Sequence, residues 1–344
     1  MKRERETWVD VAKGFGILLV VLGHVVSSYH NSGLLKDAAA FNFVHTFAYS
    51  FHMPLFFILS GYLAARSERN DNRLGQIGHK LLCLGIPYVV FSLLNWGMKF
   101  VMASMANSAV SLRDLLMIWL FPINHMWYIY VLCIMAVIHI LLGKLLRKPA
   151  GAIAAVLCAL GVLIFFSNIP LLPRWGLDGS IVENVANFSI WYLIGVAMAA
   201  LIRPKACGPA WKLPSVVGVV LFGLLVWLCE KYQWTGTACD LLLSLLGSCL
   251  FIMVSMCFRN WKLLAYLGRN SLPIYLIHGI ILSALRVGLS LLGIPLLGGA
   301  VPMVVCGLAG IVIPLACYQI STKIKILDFC FYPGKFIKKP NRKD

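Results

Sequence analysis

Apolar stretches of about 20 residues follow one another along this chain with hardly a polar break, and that recurrence restricts its fold more than any other feature. In lipid an unpaired backbone group is too costly, so such stretches cross a bilayer only as helices or as strands of a closed barrel. Barrel strands would show weak alternation over about ten residues, and no such alternation recurs. The expected fold class is therefore all-α: a polytopic integral membrane protein of about ten transmembrane helices. Composition agrees, with 60% hydrophobic and 12% charged residues, where soluble domains carry about 25% charged residues.

The spans are expected at 8–28, 44–65, 81–103, 126–142, 150–166, 186–202, 213–229, 237–258, 271–292 and 300–321. Residues 112–121 are apolar but short and closed by Pro122, and they are expected at the membrane interface. The net charge of +17 would suggest nucleic acid in a soluble chain. Its distribution argues otherwise. With the N-terminus inside, all Lys and Arg residues except Lys36, Lys99, Arg113, Arg174, Lys231 and Arg286 fall on cytoplasmic segments. That asymmetry places both termini in the cytoplasm, including a basic tail from about residue 322. The basic excess reads as a topology and lipid-facing signal, not as a nucleic-acid surface.

The start of the chain has the charge and apolar run of a signal peptide. It lacks a small-residue cleavage site, and Asp10 and Lys13 interrupt the run, so a retained first helix is expected. Residues 1–344 read as a single domain. The 11 cysteines sit mostly singly in apolar runs with no CxxC or Cys/His metal spacing, so they read as small hydrophobes and no metal is expected.

Chemistry concentrates at Asp10–His24. Lys13 and His24 are eleven residues apart, close to three helical turns, so they share one stripe about 16 Å long. Ionisable groups inside a membrane are costly and mark functional positions. With the N-terminus inside, Lys13 lies toward the cytoplasm and His24 toward the outer surface. His52 opens the return helix at a similar depth, so the two imidazoles could face one another for general-base or proton-transfer work. Each also has a structural reading: headgroup-wetted histidines, a snorkelling lysine, and Asp10 pairing with Lys13 three residues on.

Taken together, Asp10-Val11-Ala12-Lys13-Gly14, the spacing to His24, and the run Phe51-His52-Met53-Pro54-Leu55-Phe56-Phe57-Ile58-Leu59-Ser60-Gly61-Tyr62 resemble the acyltransferase 3 family. Ile86-Pro87-Tyr88, Asn124-His125-Met126-Trp127-Tyr128 and Leu267–His278 extend the resemblance, in order, through almost the whole chain. The variant is similar to the fucose 4-O-acetylase-like branch.

The resemblance implies an enzyme of the bacterial cytoplasmic (inner) membrane. It would move an acetyl group from cytoplasmic acetyl-CoA to a hydroxyl of a cell-surface or lipid-linked sugar on the outer side. Acetyl-CoA is then a substrate, with no permanently bound cofactor expected. Lys13 and His24 fall on the family's basic residue and essential histidine, although many members carry arginine where Lys13 stands, which weakens bidentate phosphate contact. Many members also carry a C-terminal hydrolase-like domain, so this chain is expected to be a stand-alone transferase.

Lys13 and Asp10, with Arg66, Arg69, Arg73 and Lys80, are expected at the cytoplasmic mouth, where cations suit the 3′,5′-ADP end of CoA. His24 would act as general base or form a transient acyl-imidazole, and His52 would orient or relay. Ser271, Tyr275 and His278 share one face of the cytoplasmic half of the ninth span, toward a CoA channel or in packing contacts. His125, Trp127 and Arg286 are expected on the acceptor side; Trp127 suits either a sugar ring or the interfacial aromatic belt. The competing class is a secondary transporter with an intramembrane His/Arg pathway. Against it, no paired halves with interrupted segments are visible.

Overall fold

The computed structural model describes residues 6–33, 35, 37–67, 72–101, 111–168, 176–201, 208–291 and 300–337. Among these there is no strand. The helices are α1 (Thr7–Asn31), α2 (Ala38–Tyr49), α3 (His52–Arg66), α4 (Arg73–Val101), α5 (Leu112–Leu116), α6 (Trp127–Leu141), α7 (Gly143–Leu146) and α8 (Pro149–Asn168). They continue with α9 (Ile181–Leu201), α10 (Lys212–Lys231), α11 (Thr237–Cys257), α12 (Lys262–Arg269), α13 (Ser271–Leu291), α14 (Ala300–Ser321) and α15 (Lys325–Phe331).

Nine helical stretches among the described residues are long and apolar enough to cross a membrane, with α2 and α3 together forming one of them. In α13, Ser271–Leu285 adds a shorter apolar stretch. Two boundaries differ from hydropathy in an informative way. The second span is broken at Ser50 and Phe51. The third starts at Arg73 instead of near residue 81, because a helix continues through polar residues once it leaves hydrocarbon. Pro87 consequently lies inside α4 and does not open it.

The chain forms two compact units, one from residues 1–56 and 204–317, the other from 57–203 and 318–344. In the first unit, α1 is enclosed by α2, α11, α12 and α13. Its tightest crossing is with α12. A Cβ on Gly14 would sit 2.2 Å from the Leu264 carbonyl oxygen, and one on Gly268 would sit 1.7 Å from that of Asp10. Only glycine permits such backbone contact, the usual way membrane helices approach when lipid offers them no hydrophobic drive. Phe15, Phe47, Phe51, Phe222 and Phe251 pack as a ring cluster beside it, with Phe51 and Phe251 centroids 4.6 Å apart. On α14 the exposed Val301, Val304, Val305, Leu308 and Val312 form a stripe suited to lipid.

The second unit repeats the device. A Cβ on Gly61 of α3 would lie 1.9 Å from the Tyr192 carbonyl oxygen of α9, and one on Gly195 would lie 2.0 Å from that of Ile58. On α4, Asn95 donates to the Phe91 carbonyl at 2.8 Å and accepts from Asn124 at 3.2 Å. Asn124 holds the left-handed backbone (φ 52°) that turns the chain into α6. Beyond α15, the Lys335 ammonium donates to both Asp328 oxygens at 2.7 and 3.0 Å and to the Tyr318 hydroxyl at 3.0 Å.

Candidate functional site

His24 lies half-buried on α1, and two of its ring neighbours come from other helices of the first unit. Its ring centroid is 5.0 Å from that of His278 on α13 and 6.1 Å from that of Tyr49 on α2. His278 is fully enclosed. Its Nδ1 lies 3.0 Å from the Ile274 carbonyl oxygen and 2.8 Å from that of Tyr275. A carbonyl only accepts, so Nδ1 donates and the lone pair of the neutral ring is on Nε2.

His52 is held in the same way. It is 3% exposed, and its Nδ1 donates to the Ala48 carbonyl at 2.7 Å. Tyr49 meets the His52 ring edge-on at 4.9 Å, so His24 and His52 share Tyr49 as a neighbour. Tyr49 is also stacked on His45 at 4.3 Å, and His45 adjoins Phe41 at 5.2 Å. Residues 41, 45, 49 and 52 recur every three or four positions, so one face of α2 and the start of α3 carries this row of rings.

Both pinned imidazoles follow one local rule. A histidine in a membrane helix can donate to the carbonyl three or four residues back, which satisfies one ring nitrogen internally and fixes the tautomer. The result near His24 is a pair of oriented imidazoles in an aromatic surround. Such groups can accept a proton from a hydroxyl and return it to a leaving group.

The remaining expected residues are placed as follows. Asp10 is 5% exposed in the first turn of α1, where a carboxylate is favoured by the helix dipole, and Lys13 is half-buried one turn on. Ser271 opens α13, and Tyr275 is buried with its ring 6.2 Å from that of His278. In the second unit, the Arg66 guanidinium lies 5.3 Å over the Tyr62 ring, and Arg73 and Lys80 are exposed on α4. His125 lies in the short turn 124–126 before α6. Trp127 packs on Phe57 and Phe188, with centroids at 6.3 and 4.6 Å. Arg69 and the side chain of Arg286 lie outside the described residues.

One expected depth needs correction. Span counting put His278 in the cytoplasmic half and His24 near the outer end, yet the two rings meet. The two rings therefore share one depth, which counting along separate spans did not give. The site residues that span counting passed over are His45 and Tyr49. Their spacing to His52 is visible in the sequence, but only the structure shows that they stack beside it.

Together, these features define an integral membrane protein with buried, tautomer-fixed histidines at one intramembrane site. The chain belongs to the acyltransferase 3 family: the family's acyltransferase domain matches residues 6–319. It is 24% identical over 305 residues to nodulation protein NolL of Mesorhizobium japonicum, covering 80% of this chain and 76% of that protein. It is 24% identical over 307 residues to the inner membrane protein YcfT of Escherichia coli, covering 81% and 80%. Over 85 residues it is 35% identical to NolL of Sinorhizobium fredii, covering 24% and 22%. No solved structure matches.

Proposed function

We propose that this acyltransferase moves an acetyl group from cytoplasmic acetyl-CoA to a hydroxyl of a cell-surface or lipid-linked sugar on the outer side of the bacterial inner membrane. The observation that carries this reading is the contact of His24 with His278, whose Nδ1 is committed to two helix carbonyls. In the proposed step, His24 takes the proton of the sugar hydroxyl while its oxygen attacks the thioester carbonyl. The tetrahedral intermediate then collapses, the C–S bond breaks, and the CoA thiolate leaves and takes the proton from His24. His278 and His52 hold the geometry and polarity around that transfer.

CoA's nucleotide end is assigned to cytoplasmic basic positions, Lys13 with Asp10 in the first unit and Arg66, Arg73 and Lys80 in the second. Each is testable separately by charge removal. Ser271 and Tyr275 are assigned to the donor side; His125, Trp127 and Arg286 are assigned to the acceptor side.

The test uses purified protein, radiolabelled acetyl-CoA and a fractionated lipid-linked glycan pool, alongside mass spectrometry of surface glycans from cells with and without the gene. The expected results are acetyl units on one sugar residue in expressing cells, and a drop of at least about 10³-fold in transfer for His24→Ala. Identical glycan masses in both strains, with no CoA binding by the pure protein, would sink the proposal.

A further inference from the structure

The helical hairpin α10–α11 carries a second reactive pair. Cys229, buried two residues before the end of α10, and Cys239, half-buried in the first turn of α11, have their sulfurs 3.8 Å apart. The turn between them is tightly built. The Trp234 amide donates to the Cys229 carbonyl at 2.9 Å, the Tyr232 amide donates to that of Leu228 at 2.9 Å, and Gly236 (φ 117°) leads into α11. Tyr232 and Trp234 are exposed and stacked at 5.8 Å, and the Lys231 ammonium lies over Trp227 and Tyr232. Such an aromatic and cationic tip belongs at the membrane–water interface.

We propose that Cys229 and Cys239 form a reversible disulfide that clamps this hairpin. The inference rests on the orientation proposed above, which puts the tip on the outer, oxidising side, where disulfides persist. The oxidant is an exposed disulfide, either of a dithiol carrier protein or of a small thiol. The thiolate of half-buried Cys239 attacks it, forming a mixed disulfide and releasing one thiol. Cys229 then attacks the Cys239 sulfur, releasing the second thiol. The balance is two cysteine thiols and one donor disulfide to one protein disulfide and two donor thiols. Closing the sulfurs to the bonded distance of about 2.05 Å asks for under 2 Å of movement, within the reach of side-chain rotation.

The neighbouring residue gives the pair its consequence. Glu230 accepts a hydrogen bond from Thr46 at 2.5 Å, which ties α10 to α2, the helix carrying His45 and Tyr49. A bond one residue away from Glu230 therefore holds the support of the ring row beside His24. In lipid, where packing gains little from solvent, such polar ties between helices carry much of the specificity.

The experiment treats pure full-length protein with excess glutathione disulfide, alkylates it, digests it without reduction and maps the peptides. A linked 229/239 peptide lacking two hydrogens supports the pair; quantitative alkylation of both residues overturns it. Cys229→Ser should instead accumulate a glutathione adduct on Cys239, and no adduct there would overturn the order of attack. Oxidation should lower amide exchange severalfold over residues 38–49, and unchanged exchange would overturn the link to α2. A separate arm isolates orientation: in a Cys229→Ser/Cys239→Ser background, Thr235→Cys should react with an impermeant maleimide on intact spheroplasts. Labelling only after lysis would overturn the outward orientation, a result independent of whether glutathione links the pair.

Discussion

The decisive residues are histidines whose chemistry is set by the backbone beneath them. Because His278 spends Nδ1 on the Ile274 and Tyr275 carbonyls, its two nitrogens can be separated by mutation. His278→Asn keeps a donor near Nδ1 and removes Nε2, whereas His278→Gln keeps an amide near Nε2. If His278 supports His24 through Nε2, Asn should lower kcat about 10²-fold with KM nearly unchanged, and Gln should cost less. Equal losses in both variants, accompanied by a fall in Tm, would assign His278 to packing alone. At this scale the sequence was readable where ionisable side chains interrupt apolar runs, which singled out His24 and His52. Tyr49 gave no such signal, because a tyrosine in a membrane helix is unremarkable until its neighbours are known.

At the scale of helices, the crossing of α1 and α12 makes the sharpest prediction. Gly268→Ala places a methyl group against the Asp10 carbonyl, so the helices must part. The expected cost is about 1–3 kcal/mol, seen as a Tm several degrees lower in detergent together with reduced transfer. Gly78→Ala on α4, where nothing lies within 4 Å of the added carbon, should leave Tm unchanged or slightly higher. A neutral Gly268→Ala would refute the backbone contact. The segment after α14 offers a pH test. Partial burial lowers the Lys335 pKa, but the Asp328 carboxylate and the Tyr318 hydroxyl outweigh that and raise it above its ordinary value. Its stabilisation is therefore complete below the unfolded lysine pKa of about 10.4 and fades as pH rises through the higher folded value. Because the side chain is 44% exposed, the pair is worth only about 0.5 kcal/mol. Lys335→Met should thus lower Tm slightly at pH 8, and the gap from wild type should narrow only above about pH 10.5. Helix existence was legible from hydropathy almost throughout. Helix ends such as Arg73 and the break before His52 were not, because hydropathy follows lipid, whereas helices end where caps and turns allow.

For the whole molecule, the proposed direction of transfer ties charge asymmetry to activity. In proteoliposomes sorted by orientation, acetyl-CoA should support transfer only from the face bearing the basic segments, with acceptor supplied on the other. Equal rates from either face would contradict vectorial transfer. The family was legible because its motifs recur in order along the chain. The pairing of His24 with His278 was not, since it depends on how α1 and α13 pack against each other, and no spacing within one helix encodes that.

The reciprocal glycines have one more consequence. Where each of two helices presses a carbonyl into the other's glycine, at Gly14 and Gly268 in one unit and at Gly61 and Gly195 in the other, the crossing behaves like a dowel in a socket. Sliding either helix by one residue would drive a side chain into a carbonyl, so piston-like travel is blocked while pivoting about the contact remains open. Within each unit, any movement that accompanies a reaction cycle is then a rotation about a fixed pin, and a cross-link spanning such a pin should leave turnover intact.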